Sequence, residues 1–331
     1  MEGSQTGRVR LGFGCVRLGS VSSDSSWRAQ VRLVERALDG GITAFDTADA
    51  YGSGVSERVV GRAVGRRRGE VRIATKAGYL FTERSLAGYA AARAARSVLA
   101  HAQRLRPGSD SPDGVGSGAG YERQDFTANY LSSAVHASLR RLGTDYIDVF
   151  QLHGPKQVLP GVMDEVDRLK RAGKILRFGI GAESVSSAQQ WLQVAGIDTL
   201  QVPFGVLDPQ AALDLFPQAT EIGVEIWARG VLGGGLLSMA ARGDEQLRND
   251  SKWPLVQQLA AIARQADVSI FRLAVDFVRS FPEVSTLLVG VQSTQHLADN
   301  LAMMAAPLIE QRVIDDVKGV LAQWVGDHEQ I

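Results

Sequence analysis

Gly40-Gly41-Ile42-Thr43-Ala44-Phe45-Asp46-Thr47-Ala48-Asp49-Ala50-Tyr51-Gly52 reads as a buried strand that runs off its end into a loop. Ile42, Ala44 and Phe45 are apolar, Asp46 sets a carboxylate at the strand's C-terminal edge, and Tyr51 sets a phenol in the loop beyond. A carboxylate at a strand exit is either a turn-former or cap, or it positions a cation that acts on Tyr51. The second reading requires a lysine from the next strand. Val71-Arg72-Ile73-Ala74-Thr75-Lys76 supplies one, because Lys76 ends the third apolar segment as Asp46 ends the second. Adjacent strands lie ~4.8 Å apart, so the two charges can meet, as a rim salt bridge or as part of a site. Asp148-Val149-Phe150-Gln151-Leu152-His153-Gly154-Pro155 then brings His153 to the exit of the fourth segment. Each of these residues has a bland explanation when taken alone. Asp46, Tyr51, Lys76 and His153 at or just past three consecutive strand exits are harder to explain that way together.

Working outward, the apolar segments Arg10–Gly14, Thr43–Thr47, Val71–Lys76, Ile147–His153, Arg177–Ala182, Thr199–Phe204, Val224–Arg229 and Thr286–Val291 read as strands. Most are runs rather than alternations, as in parallel strands buried on both faces. Between them, Trp27–Leu38, Glu57–Val64 (with Ser56 as cap), Thr127–Leu142, Val162–Arg171 and Ser184–Val194 carry helical spacing, the last three stopping near Gly143, Gly173 and Gly196. Strand–helix alternation predicts a parallel sheet, and eight strands in a chain of 331 residues favour a closed barrel over an open sheet. Two connections exceed ordinary loops. Residues 81–125 hold an Ala/Arg-rich helical piece, Leu86–Arg106, and then a Gly/Ser/Asp-rich stretch, while 230–250 hold Gly233-Gly234-Gly235. Both follow strands, which places them at the mouth where barrel active sites sit. The first follows the strand bearing Lys76 and is expected to wall the substrate pocket.

Composition narrows the class. Hydrophobic residues at 45% supply a large core, and a formal net charge of zero gives nucleic-acid binding no support. Cys15, the single cysteine, permits no intramolecular disulfide and no thiolate metal cluster; at the first strand's exit it reads as a small mouth-lining residue. No His-x-His or His-Glu-x-x-His spacing occurs, which argues against a metal-dependent barrel hydrolase. No stretch approaches the ~20 apolar residues of a membrane span, and Met1–Arg10 is polar, so the protein is expected in the cytoplasm. Arg62, Arg66, Arg67 and Arg68 read as a solvated helix end. Trp253–Phe281 reads as core-facing helices and Leu308–Trp324 as a terminal helix.

The chemistry that joins the polar exits is proton donation to a carbonyl during hydride transfer. Tyrosine, with a pKa of ~10, is a sluggish acid at neutral pH, and a nearby ammonium lowers that pKa. Asp46 would hold Lys76 charged and in place, and His153 would hydrogen-bond the carbonyl oxygen where negative charge develops. No side chain supplies hydride, so a cofactor is required.

Gly41-x3-Phe45-Asp46-Thr47-Ala48-x2-Tyr51-Gly52 with Glu57 resembles the signature of the aldo-keto reductases. Ile73–Lys76, Ser138–Asp148, Leu152–Pro155, Gly173–Ile180 and Gly290–Asn300 are similar to its later blocks, in order. The resemblance covers nearly the whole chain apart from 81–125 and roughly 238–250. It implies a single-domain (β/α)8 TIM barrel with a long insertion after strand 3, an Asp46–Tyr51–Lys76–His153 tetrad, and an extended NADP or NAD bound without a Rossmann turn, NADP being the family's usual cofactor. Leu11-Gly12-Phe13-Gly14 and Gly114–Gly120 are accordingly not read as dinucleotide loops. The substrate class implied is a small carbonyl compound or alcohol, and the sequence is silent on oligomeric state.

The chain departs from the family where the cofactor sits. The usual Ser-Asn grip on the nicotinamide carboxamide is replaced by Gly181-Ala182, unless Glu183 or Ser184 substitutes, and Gln201 matches the remaining carboxamide ligand. A gapless alignment puts Arg229 in the stacking position, followed by Gly230, Val231 and Leu232 toward the pyrophosphate; shifting it puts Trp227 there instead, and Arg229 is favoured. At the adenosine end Gly290, Gln292 and His296 occupy the positions that often carry a lysine or arginine for the 2′-phosphate, and Asn300 matches an adenine contact. The choice between NADP and NAD stays open. A second reading, from another class, is a catalytically slow nicotinamide-binding subunit that senses redox state for a partner.

Overall fold

Apolar runs bounded by glycine and polar residues form parallel strands, and the amphipathic stretches between them form the helices that cover those strands. The structure, a computed structural model, describes residues 9–20, 25–104, 123–159 and 161–328. In chain order these are β1 (Arg10–Gly14), α1 (Trp27–Asp39), β2 (Ala44–Asp46), α2 (Val55–Val64), β3 (Arg72–Ala77), α3 (Leu86–Arg104), α4 (Ala128–Leu142), β4 (Ile147–His153), α5 (Val162–Arg171), β5 (Ile175–Gly181), α6 (Val185–Leu192), β6 (Thr199–Pro203), α7 (Ala211–Asp214), α8 (Phe216–Glu221), β7 (Glu225–Arg229), α9 (Leu236–Ala241), α10 (Trp253–Gln265), α11 (Ile270–Arg279), β8 (Val284–Gly290), α12 (Thr294–Ala305) and α13 (Gln311–His328). The strands pair in sequence order, and β8 closes on β1 from Arg10↔Thr286 to Gly14↔Gly290. This is the expected (β/α)8 barrel. Two strands begin earlier than their sequence suggested, β5 at Ile175 and β8 at Val284, each starting on a buried aliphatic side chain.

Ser26, Thr127, Ser184, Ser269 and Ser293 cap their helices by accepting a backbone N–H from the first turn, each worth ~1 kcal/mol. Ser56 is not a cap. α2 begins at Val55 on a left-handed Gly54, and the Ser56 hydroxyl instead donates to the Cys15 carbonyl at 3.1 Å and pairs with Thr47 Oγ1 at 2.8 Å. Cys15 lies wholly within the core rather than lining the mouth, and burial pushes its thiol well up. The arginine run is also not free. Arg67 pairs with Asp39 and Glu70, while Arg68 pairs with Asp148 at 2.5 Å and lies over the Tyr146 ring, clasping the α2 end to the start of β4.

Inside the barrel, Ala74, Val149, Trp227 and Leu288 form a buried plug. Beneath it, at the strands' N-terminal ends, Glu225 accepts from both Arg72 Nη atoms at 2.7 and 2.6 Å, from Arg177 at 2.7 Å and from Ser285 at 2.8 Å. Behind β3, the buried Glu57 accepts from Thr75 Oγ1 at 2.6 Å and from Arg141 Nε at 2.5 Å. That pair ties α2 and α4 to the strand position next to Lys76. The two helices can close on each other because a Cβ on Gly61 would lie 2.2 Å from the Leu142 carbonyl oxygen.

The long connection after β3 opens and returns as one stitched pair. Leu80 N–H donates to the Arg123 carbonyl and Asp125 N–H to that of Gly78, at 2.9 and 2.8 Å. α3 docks through the buried Tyr89, whose hydroxyl accepts from Gln30 at 2.8 Å, while Gln30 Oε1 holds the Gly19 N–H of the β1 exit loop at 2.8 Å. The glycine-rich Gly114–Gly120 lies outside the described residues. Among those residues no helix is long and apolar enough to cross a membrane.

Candidate active site

A strand that ends on a polar residue delivers that side chain to the rim, and three neighbouring exits bring four such residues together here. Asp46 ends β2, Lys76 lies at the end of β3, His153 ends β4, and Tyr51 follows on the β2 loop. The Lys76 ammonium binds Asp46 Oδ1 and Oδ2 at 2.6 and 2.7 Å and the Thr47 carbonyl at 3.0 Å. Its side chain is 2% exposed and that of Asp46 7%, so the pair is a buried one. The same ammonium lies 5.2 Å from the Tyr51 ring centroid. His153 meets the Tyr51 ring edge-on, with centroids 5.6 Å apart.

The charges act on one another as the geometry requires. Burial presses the Lys76 ammonium toward neutrality, but Asp46 and Tyr51 outweigh it and the net shift is upward. Burial likewise pushes His153 well below the ordinary histidine value, reinforced by the positive charges of Lys76 and Arg229, which leaves a neutral imidazole. Tyr51 does not follow the sequence expectation. Lys76 lowers its pKa, but burial raises it more, and the phenol titrates above its usual value.

Gln201, at the third position of β6, donates Nε2 to Asp46 Oδ1 at 2.8 Å and to Gln151 Oε1 at 3.3 Å. Gln151 was missed from sequence, although a glutamine inside the apolar run of β4 was the available signal. It is fully buried, and its Nε2 carries no partner. Arg229 ends β7 and donates Nη2 to the Ala182 carbonyl at 2.7 Å, so its guanidinium reaches the backbone at the β5 exit where the sequence resemblance leads one to expect an asparagine. Trp227 lies in the barrel plug and cannot be the stacking ring. Both neighbours offered as a replacement for the grip have other partners. Ser184 Oγ caps α6 at Ser187 N, and Glu183 Oε1 accepts from Tyr79 OH at 2.5 Å.

The remaining sequence candidates follow β7 and β8 along the chain. Gly230 is exposed with φ +72°, Val231 is packed into the core, and Leu232 is half-buried. Gly290 ends β8 with open space beside it; Gln292 and His296 are exposed at the start of α12, and Asn300 is buried on that helix. Tyr79 and Gln124 were also missed. The Tyr79 ring stands edge-on to His153 at 4.8 Å, and Gln124 Nε2 donates to the His153 and Gly154 carbonyls at 2.9 and 3.0 Å. Both ends of the long connection therefore bear on His153.

Comparison with known proteins matches residues 10–322 to the Aldo/keto reductase family. The chain belongs to that family. It is 26% identical over 330 residues to a D-threo-aldose 1-dehydrogenase of a Pseudomonas species, covering 92% of this chain and 94% of that protein. Its fold is like that of the aldo-keto reductase AKR11C1 from Bacillus halodurans in its holo form, with TM-score 0.71, 24% identity and coverage of 94% and 91%. It is also like that of an aldo/keto reductase from Klebsiella pneumoniae in complex with NADP and acetate, with TM-score 0.64, 20% identity and coverage of 94% and 90%. As an aldo-keto reductase the chain is an oxidoreductase.

Proposed function

We propose that this aldo-keto reductase interconverts a small carbonyl compound and its alcohol with NADP or NAD, Tyr51 serving as general acid and base. The observation that carries the reading is the buried Lys76 ammonium, fixed by both oxygens of Asp46 and lying against the ring of Tyr51. Asp46 holds the ammonium charged at a fixed point. The ammonium favours the phenolate that Tyr51 becomes when it gives its proton to the carbonyl oxygen. Neutral His153 donates a hydrogen bond to the same oxygen, where charge develops. Oxidation runs the transfers in reverse, the phenolate taking the alcohol proton.

The residues present fit a nicotinamide dinucleotide, with a changed grip at one end. Gln201 beside the unpartnered Gln151 Nε2, and Arg229 over Ala182, would hold the carboxamide end. Exposed Gly230 and Gly290, with the Ser293-capped start of α12, would take the phosphates on backbone N–H groups. When bound, the cofactor supplies or accepts the hydride. The test is turnover of an aldehyde, ketone and aldose panel with NADPH and NADH, and of alcohols with the oxidised cofactors. Tyr51→Phe should keep cofactor affinity and lose turnover. Cofactor binding with no turnover of any substrate would favour the redox-sensing alternative.

A further inference from the structure

We propose that Glu183 selects the substrate, its carboxylate accepting a hydroxyl borne by the carbonyl compound so that hydroxylated carbonyls are preferred over plain ones. This rests on the carbonyl–alcohol reading above and names the substrate class of that site. Glu183 follows Gly181-Ala182 at the β5 exit. Its Oε1 accepts from Tyr79 OH at 2.5 Å, and the Tyr79 ring stands against His153 with centroids 4.8 Å apart. The carboxylate also lies against the residue that follows His153. A Cβ on Gly154, which has φ +65°, would sit 2.5 Å from Glu183 Oε1, so glycine is what lets the acid pack there. Tyr79 and Glu183 together thus span the rim from the β3 exit to the β5 exit, one ring's breadth from the imidazole that would bind the carbonyl oxygen.

Tyr79 OH engages Oε1 alone, which leaves Oε2 of the exposed Glu183 side chain able to accept a further hydrogen bond. An ionised carboxylate only accepts hydrogen bonds, so the group it takes is a donor, a hydroxyl or an ammonium. The choice between them is electrostatic. Arg229, tied to the Ala182 carbonyl beside Glu183, lays a positive charge on Tyr51, Tyr79 and His153 alike, which disfavours a cationic substrate. Glu183 itself repels an anionic one. A neutral, hydroxylated carbonyl satisfies both.

The experiment compares kcat/KM for glyceraldehyde and propanal, the same three-carbon aldehyde with and without hydroxyls, using NADPH. The unmodified protein should favour glyceraldehyde. Glu183→Ala should lower the glyceraldehyde-to-propanal ratio about tenfold or more, the scale of a lost hydrogen bond to a charged group. Glu183→Gln, which keeps an acceptor oxygen and the side chain's shape, should fall between the two and serves if the alanine variant does not fold. Saturation-transfer NMR with glycerol and 1-propanol, the two product alcohols, reads the same selectivity without turnover. Turnover of both aldehydes with a ratio unmoved by either substitution overturns the inference and leaves the proposed reaction standing. Turnover of neither aldehyde, with other members of the panel reduced, overturns this inference alone; turnover of nothing in the panel with either cofactor overturns the reaction and this inference with it.

Discussion

Both carboxylate oxygens of Asp46 bind the Lys76 ammonium, at 2.6 and 2.7 Å, where neither side chain is appreciably exposed. Replacing one member of such a pair leaves an uncompensated charge in the interior. Asp46→Asn should therefore cost ~3–5 kcal/mol in urea unfolding. It also removes what keeps Lys76 charged beside Tyr51, so kcat for reduction should fall ~10²–10⁴-fold. A variant with native stability and native turnover would show that Lys76 is held by something other than Asp46.

The pH dependence follows from the opposite shifts of Tyr51 and His153. Burial raises the Tyr51 pKa, so the phenol is protonated across the neutral range and reduction should run flat from about pH 6 to about pH 9, declining only above the ordinary tyrosine value of ~10. Oxidation needs the phenolate and should rise over the alkaline range. Burial lowers the His153 pKa, so no acid limb from this residue should appear near the usual ~6.5. A depressed folded-state pKa also means that the unfolded chain takes up the proton first. The stability His153 contributes is present above ~6.5 and drains away as pH falls below it. Rate profiles in both directions check the signs; a reduction rate that falls between about pH 7 and about pH 9 would mean that Lys76 wins over burial.

At the opposite end of the barrel, Glu225 is partly desolvated, which alone would raise its pKa. The Arg72 fork, Ser285 and Arg177 more than reverse this and hold the carboxylate at about 2. The folded pKa lies below the unfolded one, so the contribution is complete above ~4.5 and is lost as pH falls toward ~2. Its size is ~3 kcal/mol. Glu225→Gln should destabilise by that order at neutral pH and flatten the acid limb of the stability curve. kcat should be unchanged, because the N-terminal face of a barrel serves stability rather than chemistry. Thermal unfolding across pH, with turnover alongside, separates the two effects.

Arg229 reaches back to the Ala182 carbonyl at 2.7 Å and covers the position where a side-chain grip is missing. Arg229→Ala should weaken NADPH binding about tenfold or more, in line with losing a charged donor. Arg229→Lys should not restore it, because an ammonium lacks the planar fork that can bond Ala182 and a second acceptor together. Fluorescence titration with NADPH reads this without substrate.

The barrel and the meeting of Asp46, Tyr51, Lys76 and His153 at its mouth were legible because both write themselves locally. Apolar runs mark the strands, and a charged or polar residue at a run's end marks an exit into the mouth. What stayed hidden depends on partners distant in sequence. Arg229 and Ala182, Tyr79 and Glu183, and Glu57 and Arg141 meet only through barrel closure or helix packing. Ser56 looked like a cap because serine before a helical run usually is one; its hydroxyl was instead taken by the β1 and β2 exits. The sign of the Tyr51 shift was unreadable for a different reason. The lysine's presence can be inferred from spacing, whereas the depth of burial that outweighs it exists only in the folded chain.

Gly290, Gln292 and His296 bring no permanent cation to the rim beside β8, where a 2′-phosphate would need one. The Ser293-capped start of α12 offers backbone N–H groups, which favour an anion but by only ~0.3–1 kcal/mol when exposed. The dissociation constants for NADPH and NADH should therefore lie within about tenfold of each other. Gln292→Arg should shift the balance toward NADPH and make that preference fall with added salt, as an exposed ion pair does. Parallel titrations of both cofactors at low and high ionic strength check it. A strong, salt-sensitive NADPH preference in the unmodified protein would locate a cation for the phosphate elsewhere on the rim.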